Sequence, residues 1–339
     1  MTPDEIKKLY RADKSSWIKK HCIIPLTTIS INSDGDISLC FCEAWLPKIL
    51  GNILSINSKT EFNDLFLNNP IRDSIIDLSH RFCRGNICTN MQEYFINGNS
   101  KKFVATESLS KFKLKTLHLQ LDESCNLGCV TCRNNVIVHQ PSEKLKMIFN
   151  KIDDFLDVEE IFLQGNGEFL ASKQTREWLL KKAKFSKSKF MLQTNGTLIY
   201  QYRYLLDKVL SKTSLINISI DASNPSLYKT VRNGNWDNLI MGIEYLTNRR
   251  KTEDFELRFN FTVSSLNYFD MFDFVTFCQQ YNPTDIYFSK MERWRHLTDE
   301  QWSQLNVFNS AHESYTKLIE ISNQIKNIKG VTINFASFV

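Results

Sequence analysis

The chain has 339 residues, of which 42% are hydrophobic, and a formal net charge of +5. This length can bury one large core or two unequal ones, and no run of 18 consecutive apolar residues predicts a membrane-spanning helix. The first eight residues lack the apolar centre of a signal peptide, so we expect a cytoplasmic protein with no membrane partner. The lysines are scattered, and this pattern does not favour nucleic acid as a partner.

Nine cysteines, an odd number in a chain without a secretory signal, favour metal binding over a disulfide framework. The first cysteines lie in a block that follows a short polar helix expected over residues 1–20. Apolar residues alternate over 28–31 and again over 37–40, and the dipeptide Asp34-Gly35 lies between these runs. This pattern predicts a β-hairpin, because the turn needs positive φ angles that glycine tolerates. The hairpin would place Cys22 and Cys40 close together.

The rest of this block predicts a turn over residues 50–53, then an amphipathic helix over 61–72. A second pair of cysteines, Cys83 and Cys88, ends the block. With Cys22 and Cys40 this pair makes a complete set of four thiol ligands, and Cys42 is a fifth candidate beside Cys40. A structural zinc site that uses His21 or His80 is the alternative.

Residues 97–113 are rich in Asn, Ser and Lys and predict a linker. After it, strands alternate with helices to the end of the chain. Strands are predicted near 116–121, 159–164, 189–193, 215–221, 255–263, 285–289 and 331–335. Helices are predicted near 142–156, 172–184, 199–212, 235–250, 267–281 and 298–327. Alternation at this period indicates right-handed crossovers and a parallel sheet.

The predicted fold class is therefore α/β, a partial (β/α)6 TIM-like barrel with a small N-terminal α+β domain. We expect a cysteine domain over residues 1–96, the linker over 97–113, and the barrel with its C-terminal helix over 114–339. In such a barrel the functional site lies at the carboxyl ends of the strands.

Three further cysteines, Cys125, Cys129 and Cys132, follow the first predicted strand of the barrel at C-x3-C-x2-C spacing. Three thiols on one loop can hold three corners of a cubane iron–sulfur cluster and leave the fourth iron without a protein ligand. A structural zinc ion would need a fourth ligand, and the nearest downstream candidate, His139, stands alone. Disulfides cannot pair three cysteines.

This loop resembles the cluster-binding signature of the radical S-adenosylmethionine (radical SAM) superfamily. The resemblance implies a 4Fe-4S cluster whose open iron is chelated by the amino and carboxylate groups of S-adenosylmethionine (SAM). It also implies reductive cleavage of SAM to a 5'-deoxyadenosyl radical, with an electron donor such as flavodoxin or ferredoxin.

Several predicted strands end in residues that resemble the SAM-binding motifs of that superfamily. The run Gly165-Asn166-Gly167-Glu168 is similar to its G-G-E-P motif, which holds the SAM amino group, although a loop turn is the alternative. Arg232 resembles the arginine near the SAM carboxylate, with a surface ion pair as the alternative. Ser219 and Asp221 resemble the segment near the ribose. The other positions similar to family motifs at the strand ends are Thr194, Asn195 and Val263.

The N-terminal block resembles the SPASM and twitch domains, which bind auxiliary 4Fe-4S clusters. This resemblance implies a second cluster held by Cys22, Cys40, Cys83 and Cys88. In the better-known members these domains follow the core, whereas here the block precedes it.

The resemblance implies an oxidoreductase-type or peptide-modifying enzyme that acts on a peptide or protein side chain. Dehydrogenation or rearrangement of a sugar or aminocyclitol is one alternative, and a non-catalytic iron–sulfur or zinc scaffold is another. No catalytic residue is identified beyond Cys278, which is either a buried core cysteine or a hydrogen-atom donor as in some radical peptide epimerases.

Overall fold

The computed structural model describes residues 15, 18–41, 45–85, 88–98, 100–105, 112–120, 122–133, 135–165, 167–294 and 296–335. They belong to two compact units. One comprises Met1–Leu121 and Pro141–Leu163, and the other comprises Asp122–Gln140 and Gln164–Val339. Most of the helix expected over residues 1–20 lies outside the described residues, as do Cys42 and Asn166. The predicted domain boundary at 97–113 stays a prediction.

The first unit contains seven strands and five helices among its described residues. The strands are β1 (His21–Cys22), β2 (Thr28–Asn32), β3 (Asp36–Leu39), β4 (Ile49–Asn52), β5 (Phe103–Val104), β6 (Thr116–Gln120) and β7 (Glu160–Leu163). The helices are α1 (Ile24–Thr27), α2 (Lys59–Leu67), α3 (Pro70–Ile76), α4 (Thr89–Asn97) and α5 (Glu143–Phe155). Five of the strands lie side by side in the order β7-β6-β2-β3-β4, and β1 pairs with β5.

The predicted hairpin is confirmed as the antiparallel pair β2–β3, in which Ile29 lies opposite Leu39. Gly35 adopts a φ of +86° in its turn, the left-handed region that favours glycine. The Asn32 side chain accepts hydrogen bonds from the backbone N–H groups of Asp34 and Asp36, at 2.9 and 3.0 Å, and so closes the turn. The hairpin also extends the parallel strands, because β2 pairs with β6 and β6 with β7 in parallel.

Two predictions in this unit are wrong. The single helix expected over residues 61–72 is two helices, α2 and α3, which Asn68 and Asn69 separate. Asn69 caps α3 by accepting hydrogen bonds from the backbone N–H groups of Ile71 and Arg72, and proline is favoured at the first position of a helix. The turn expected over 50–53 is strand β4, which pairs with β3 and leads into a single turn of 3-10 helix over Ile53–Ser55.

The second unit contains five strands and seven helices among its described residues. The strands are β8 (Lys189–Thr194), β9 (Thr213–Ser219), β10 (Glu256–Val263), β11 (Asp285–Lys290) and β12 (Val331–Ile333). The helices are α6 (Lys173–Phe185), α7 (Arg203–Leu206), α8 (Pro225–Arg232), α9 (Trp236–Arg249), α10 (Met271–Gln279), α11 (Asp299–Leu305) and α12 (Tyr315–Ile325). The strands follow one another in space as β8-β9-β10-β11-β12, and the resolved pairings are all parallel.

The core of this unit comes from alternate residues on its strands. Ile218, Phe259, Phe261 and Phe288 are completely buried. The polar side chains Asn217 and Asn260 are each next to one of these residues in the sequence and so point to the opposite face of the sheet. The seven strands predicted after residue 113 are confirmed, and so is the α/β class with a mostly parallel sheet.

Two long helices predicted in this unit are interrupted. Residues 199–212 contain only α7 and one turn of 3-10 helix over Leu210–Lys212. Residues 298–327 form α11 and α12, and Asn309 lies in the turn between them. The Asn309 side chain accepts a hydrogen bond from the backbone N–H of Ala311 at 3.1 Å, a local bond that competes with helix formation. None of the helices in the described part of the chain is both long enough and apolar enough to cross a membrane.

Candidate active site

The loop with the three cysteines is a compact turn in the second unit. Cys125 and Ile137 exchange both of their backbone hydrogen bonds, at 2.5 and 3.1 Å, which closes the loop at its base. A tighter turn forms where the backbone N–H of Cys132 donates to the carbonyl of Cys129 at 3.0 Å. Cys125 and Cys129 are buried with Leu127, and half-buried Cys132 packs against them. The loop therefore brings its three thiols together.

The Glu168 side chain is almost completely buried, with 2% of its surface exposed. Its carboxylate accepts hydrogen bonds from the backbone N–H of Asn195 at 2.6 Å and of Leu170 at 3.2 Å, and from the Thr194 hydroxyl at 3.0 Å. The backbone N–H of Glu168 donates to the carbonyl of Ser124 at 2.7 Å. Glu168 thus connects the cysteine loop to the turn that follows β8.

A second connection between the same two segments runs through side-chain amides. The Asn195 amide donates to Asn126 Oδ1 at 2.9 Å and lies 3.9 Å from Cys125 Sγ. The Asn126 amide in turn donates to the Thr197 hydroxyl at 2.8 Å. An N–H group directed at a cysteine sulfur stabilises a thiolate, the form that binds metal.

Asp221 and Arg232 form a buried ion pair. Their closest atoms, Arg232 Nη1 and Asp221 Oδ2, are 3.0 Å apart, and the exposed fractions of the two side chains are 12% and 1%. Arg232 Nη2 donates to the carbonyl of Ser219 at 2.9 Å, and Asp221 also accepts the backbone N–H of Thr262. Arg232 is therefore not part of a surface ion pair. Its Nε atom has no hydrogen-bond partner within the described residues.

Burial dominates the electrostatics of this site. It raises the pKa of Glu168 to about 7, against the opposing effect of the hydrogen bonds that its carboxylate accepts. It also raises the pKa of Cys129 to about 11, although the nearby Arg232 acts to lower it. Burial lowers the pKa of Arg232, but Cys129 and Asp221 raise it by more, so the guanidinium stays charged.

The remaining predicted residues of this unit lie at strand ends or in the core. Ser219 is the last residue of β9 and Val263 is the last of β10, and both are buried. Cys278 lies on α10 with no exposed surface, and burial raises its pKa well above the ordinary value. Its role as a hydrogen-atom donor stays a prediction.

The cysteines of the N-terminal block meet at one cavity in the first unit. Cys22, Cys40, Cys83 and Cys88 all line it, together with Trp45, His80 and a few apolar side chains. The cavity encloses about 310 Å³, part of which is open to solvent. Cys22 lies on β1, Cys40 follows β3, and Cys88 is the residue before the first turn of α4. The prediction that Cys22 and Cys40 lie close together is confirmed.

Burial raises the pKa of both Cys22 and Cys88 well above the ordinary value, and the charge of Cys40 raises each further. Cys40 and His80 adopt positive φ angles of 97° and 45°, strained conformations that are common at functional sites. His21 Nδ1 lies 2.8 Å from the carbonyl oxygen of Ile75. Across the described ranges no three His, Cys, Asp or Glu side chains converge closely enough to hold a single metal ion.

Comparison with known proteins places residues 121–257 in a family described as the radical SAM superfamily. That segment contains the cysteine loop, Glu168, Asp221 and Arg232. The match to the radical SAM superfamily covers this segment, which is less than half of the chain. The match agrees with the family expected from the cysteine spacing.

Two curated relatives are described as probable GTP 3',8-cyclases. The relative from Methanocaldococcus jannaschii is 29% identical over 175 residues, which cover 49% of this chain and 56% of that protein. The relative from Methanococcus aeolicus is 27% identical over 185 residues, covering 51% and 58%. The chain therefore spans little more than half the length of these relatives. A crystal structure of Streptococcus suis SuiB bound to SAM matches with 16% identity and a TM-score of 0.48, covering 73% of this chain and 58% of that one.

The sequence did not point to several residues that hold this candidate site together. Ser124, Asn126 and Thr197 form the connections between the two segments, and each lies next to or within three residues of a predicted motif residue. That adjacency is the only sequence signal for them. Thr262, whose backbone N–H donates to Asp221, lies on another strand, next to the predicted residue Val263.

We predict that Gly167→Ala prevents stable assembly of a cluster on the cysteine loop. An added Cβ at Gly167 would lie 2.6 Å from the carbonyl oxygen of Ser124 and closer still to that of Asp122, so the loop must move. The measurement is iron and sulfide per chain after anaerobic reconstitution. Gly330→Ala is the control, because it adds the same methyl group, at a φ of +82°, with no atom within 4 Å. Equal iron in the two variants would contradict this prediction.

Proposed function

We propose that this chain binds a 4Fe-4S cluster through Cys125, Cys129 and Cys132 and uses it to cleave SAM reductively. The observation that carries the proposal is the set of three packed thiols on a loop that Glu168 and Asn195 fix to the neighbouring turn. When bound, the cluster supplies the electron that releases a 5'-deoxyadenosyl radical from SAM, and that radical abstracts hydrogen from a substrate.

The residues of the site fit this cofactor pair. Three thiols leave one corner of a cubane cluster open. In the proposal the Glu168 carboxylate and the turn at Thr194 and Asn195 face the amino group of SAM, and Ser219 and Asp221 lie near its ribose. The charged Arg232 compensates the negative charge of SAM's carboxylate and of the iron-bound thiolates. In the proposal Gly165, Gly167 and Val263 contribute backbone to the same pocket.

We further propose an auxiliary 4Fe-4S cluster held by Cys22, Cys40, Cys83 and Cys88. Four thiols from three separate segments line one cavity, and the first N–H groups of α4 favour a thiolate at Cys88. Four protein ligands leave no open iron, so this cluster would not bind SAM and would transfer electrons or shape the pocket. Cys42 remains the alternative to Cys40, and zinc with His80 remains the alternative metal.

The proposed substrate is a peptide or protein side chain, as expected from the resemblance to auxiliary-cluster enzymes. A small molecule is the second candidate, because the curated relatives are described as probable GTP 3',8-cyclases. A sugar or aminocyclitol belongs to the same small-molecule class. The proposed electron donor is a flavodoxin or ferredoxin. A non-catalytic scaffold would have no need of Glu168, Arg232 or an open iron.

Deuterium transfer tests the substrate class. The reconstituted protein is incubated anaerobically with SAM, dithionite and an extract of cells grown in deuterated water, which ultrafiltration separates into a peptide and protein fraction and a small-molecule fraction. We expect deuterium in 5'-deoxyadenosine with the peptide and protein fraction. Transfer only from the small-molecule fraction would replace the first candidate with the second, and GTP is then the first pure compound to add.

We predict that replacing Cys125, Cys129 and Cys132 together by Ala abolishes the formation of 5'-deoxyadenosine. The three thiols are the proposed ligands of the SAM-binding cluster, whereas the cavity of the first unit keeps its own ligands. Iron should fall from about eight to about four per chain, as expected for the loss of one of two 4Fe-4S clusters. The matched control is Cys278→Ala, which removes a buried thiol from α10 and should keep both the iron content and the formation of 5'-deoxyadenosine. Continued formation of 5'-deoxyadenosine by the triple variant would overturn the central proposal.

We predict that replacing Cys22 and Cys83 together by Ala removes about half of the iron, because one of two clusters is lost. The zinc content should be close to zero before and after the replacement. Because the SAM-binding cluster is retained, reductive cleavage of SAM should continue while product formation fails. Cys42→Ala should keep the full iron content. Zinc in protein purified anaerobically, or unchanged iron in the double variant, would exclude the auxiliary cluster and leave the radical SAM core unaffected.

A further inference from the structure

The hydroxyl group of Tyr228 is buried without a hydrogen-bond partner. Tyr228 lies on α8, none of its surface is exposed, and its Oη has no partner within the described part of the chain. Buried hydroxyl groups are nearly always hydrogen-bonded. An unpaired one has lost its hydrogen bonds to water without replacing them, which raises the free energy of the folded state. An unpaired hydroxyl of this kind indicates a partner that protein atoms do not supply.

The position of the ring is tightly fixed. Trp236 packs edge-on against it, with ring centroids 5.4 Å apart. On another side the backbone of Gly234 approaches so closely that a Cβ there would lie 2.9 Å from the Tyr228 hydroxyl oxygen. Only glycine leaves room for the hydroxyl at this point, so the O–H group is held in one place.

Tyr228 lies on the helix that contacts the cysteine loop. The last turn of α8 contacts that loop directly, since the Val231 carbonyl accepts a hydrogen bond from the backbone N–H of Val130 at 3.1 Å. Val130 is the residue after Cys129. The charges that act on the Tyr228 hydroxyl are those of Arg232, Cys129, Asp221 and Glu168, which are the charged groups of the candidate site.

The hydroxyl is a donor at neutral pH. Burial raises the pKa of Tyr228 well above its ordinary value, although Arg232 acts to lower it. Arg232 Nε is a second unpartnered N–H donor in the same region. Asp221 already accepts hydrogen bonds from Arg232 and Thr262, so the two donors lack an acceptor among these protein groups. Cys129 is a weak acceptor as a thiol and a good one as an iron-bound thiolate.

We infer that the Tyr228 hydroxyl donates a hydrogen bond to a sulfur of the cluster held at Cys129, and so raises the reduction potential of that cluster. Hydrogen bonds to cluster sulfurs favour the reduced state because it carries one more negative charge. This inference deepens the proposed function and rests on it. Tyr228 is a positioning and tuning residue rather than a catalytic one.

The test compares Tyr228→Phe with Tyr245→Phe in the reconstituted protein. Tyr245 is the matched control, because its hydroxyl lies within hydrogen-bond distance of Asp207 and of the Arg203 carbonyl and away from the cysteine loop. Reductive titration is followed by the electron paramagnetic resonance signal that changes when SAM is added. That signal reports only the cluster with an open iron.

We expect Tyr228→Phe to make reduction of this cluster about tenfold less favourable, a shift of about 59 mV to a more negative potential for one electron. Tyr245→Phe should leave the potential unchanged. Before reconstitution, Tyr228→Phe should melt at the same or a higher temperature than the unmodified protein, because it removes an unpaired buried hydroxyl.

An unchanged potential in Tyr228→Phe would overturn the inference, and so would a lower melting temperature before reconstitution, since that result would reveal a structural partner for the hydroxyl. Absence of any SAM-responsive signal from the unmodified protein is a separate outcome. It would overturn the proposed function first, and this inference with it.

Discussion

The site depends on the burial of one carboxylate. Glu168 lies almost entirely out of water, where an unpaired charge is very unfavourable, so its oxygens must be surrounded by donors. Thr194 and the backbone of Asn195 supply them from the turn after β8. The backbone of Glu168 meanwhile binds the segment just before Cys125. The hydrogen bonds of Glu168 therefore hold together the cysteine loop, the segment around Gly167 and the turn after β8. A change in any of these three segments would also move the thiols.

The strands could be predicted from the sequence because their signal is local and repeated. Alternating apolar residues and Asp34-Gly35 identified the hairpin, and buried apolar runs identified the parallel strands. The helix predictions failed where a single side chain bonds to nearby backbone. Asn69 ends one helix and begins the next, and Asn309 turns the chain between α11 and α12. Such bonds contribute only about 1 kcal/mol each, yet they suffice to interrupt a periodic pattern whose preference for helix is similarly small.

The grouping of Cys125, Cys129 and Cys132 was also predictable, because their spacing on one short loop is read directly from the sequence. The partners of the charged residues were not. Arg232 was expected near a ligand carboxylate, and in the structure two of its nitrogens contact Asp221 and the Ser219 carbonyl, eleven and thirteen positions away. The pairing arises because α8 folds back over the end of β9. Neither composition nor periodicity predicts this pairing of Arg232. The unpaired hydroxyl of Tyr228 could likewise be found only from the structure.

The two groups of cysteines share one property and differ in another. Burial raises the pKa of Cys22, Cys88 and Cys129, so each thiol holds its proton until iron displaces it. If clusters assemble at both places as proposed, assembly must release protons and become weaker as the pH falls. The difference lies in the number of ligands. Four thiols around the cavity of the first unit can satisfy every iron of a cubane cluster, whereas three on the loop cannot. Both groups thus present the same kind of donor. Under the proposed function, the absence of a fourth thiol is what leaves the cluster on the loop open to a further ligand.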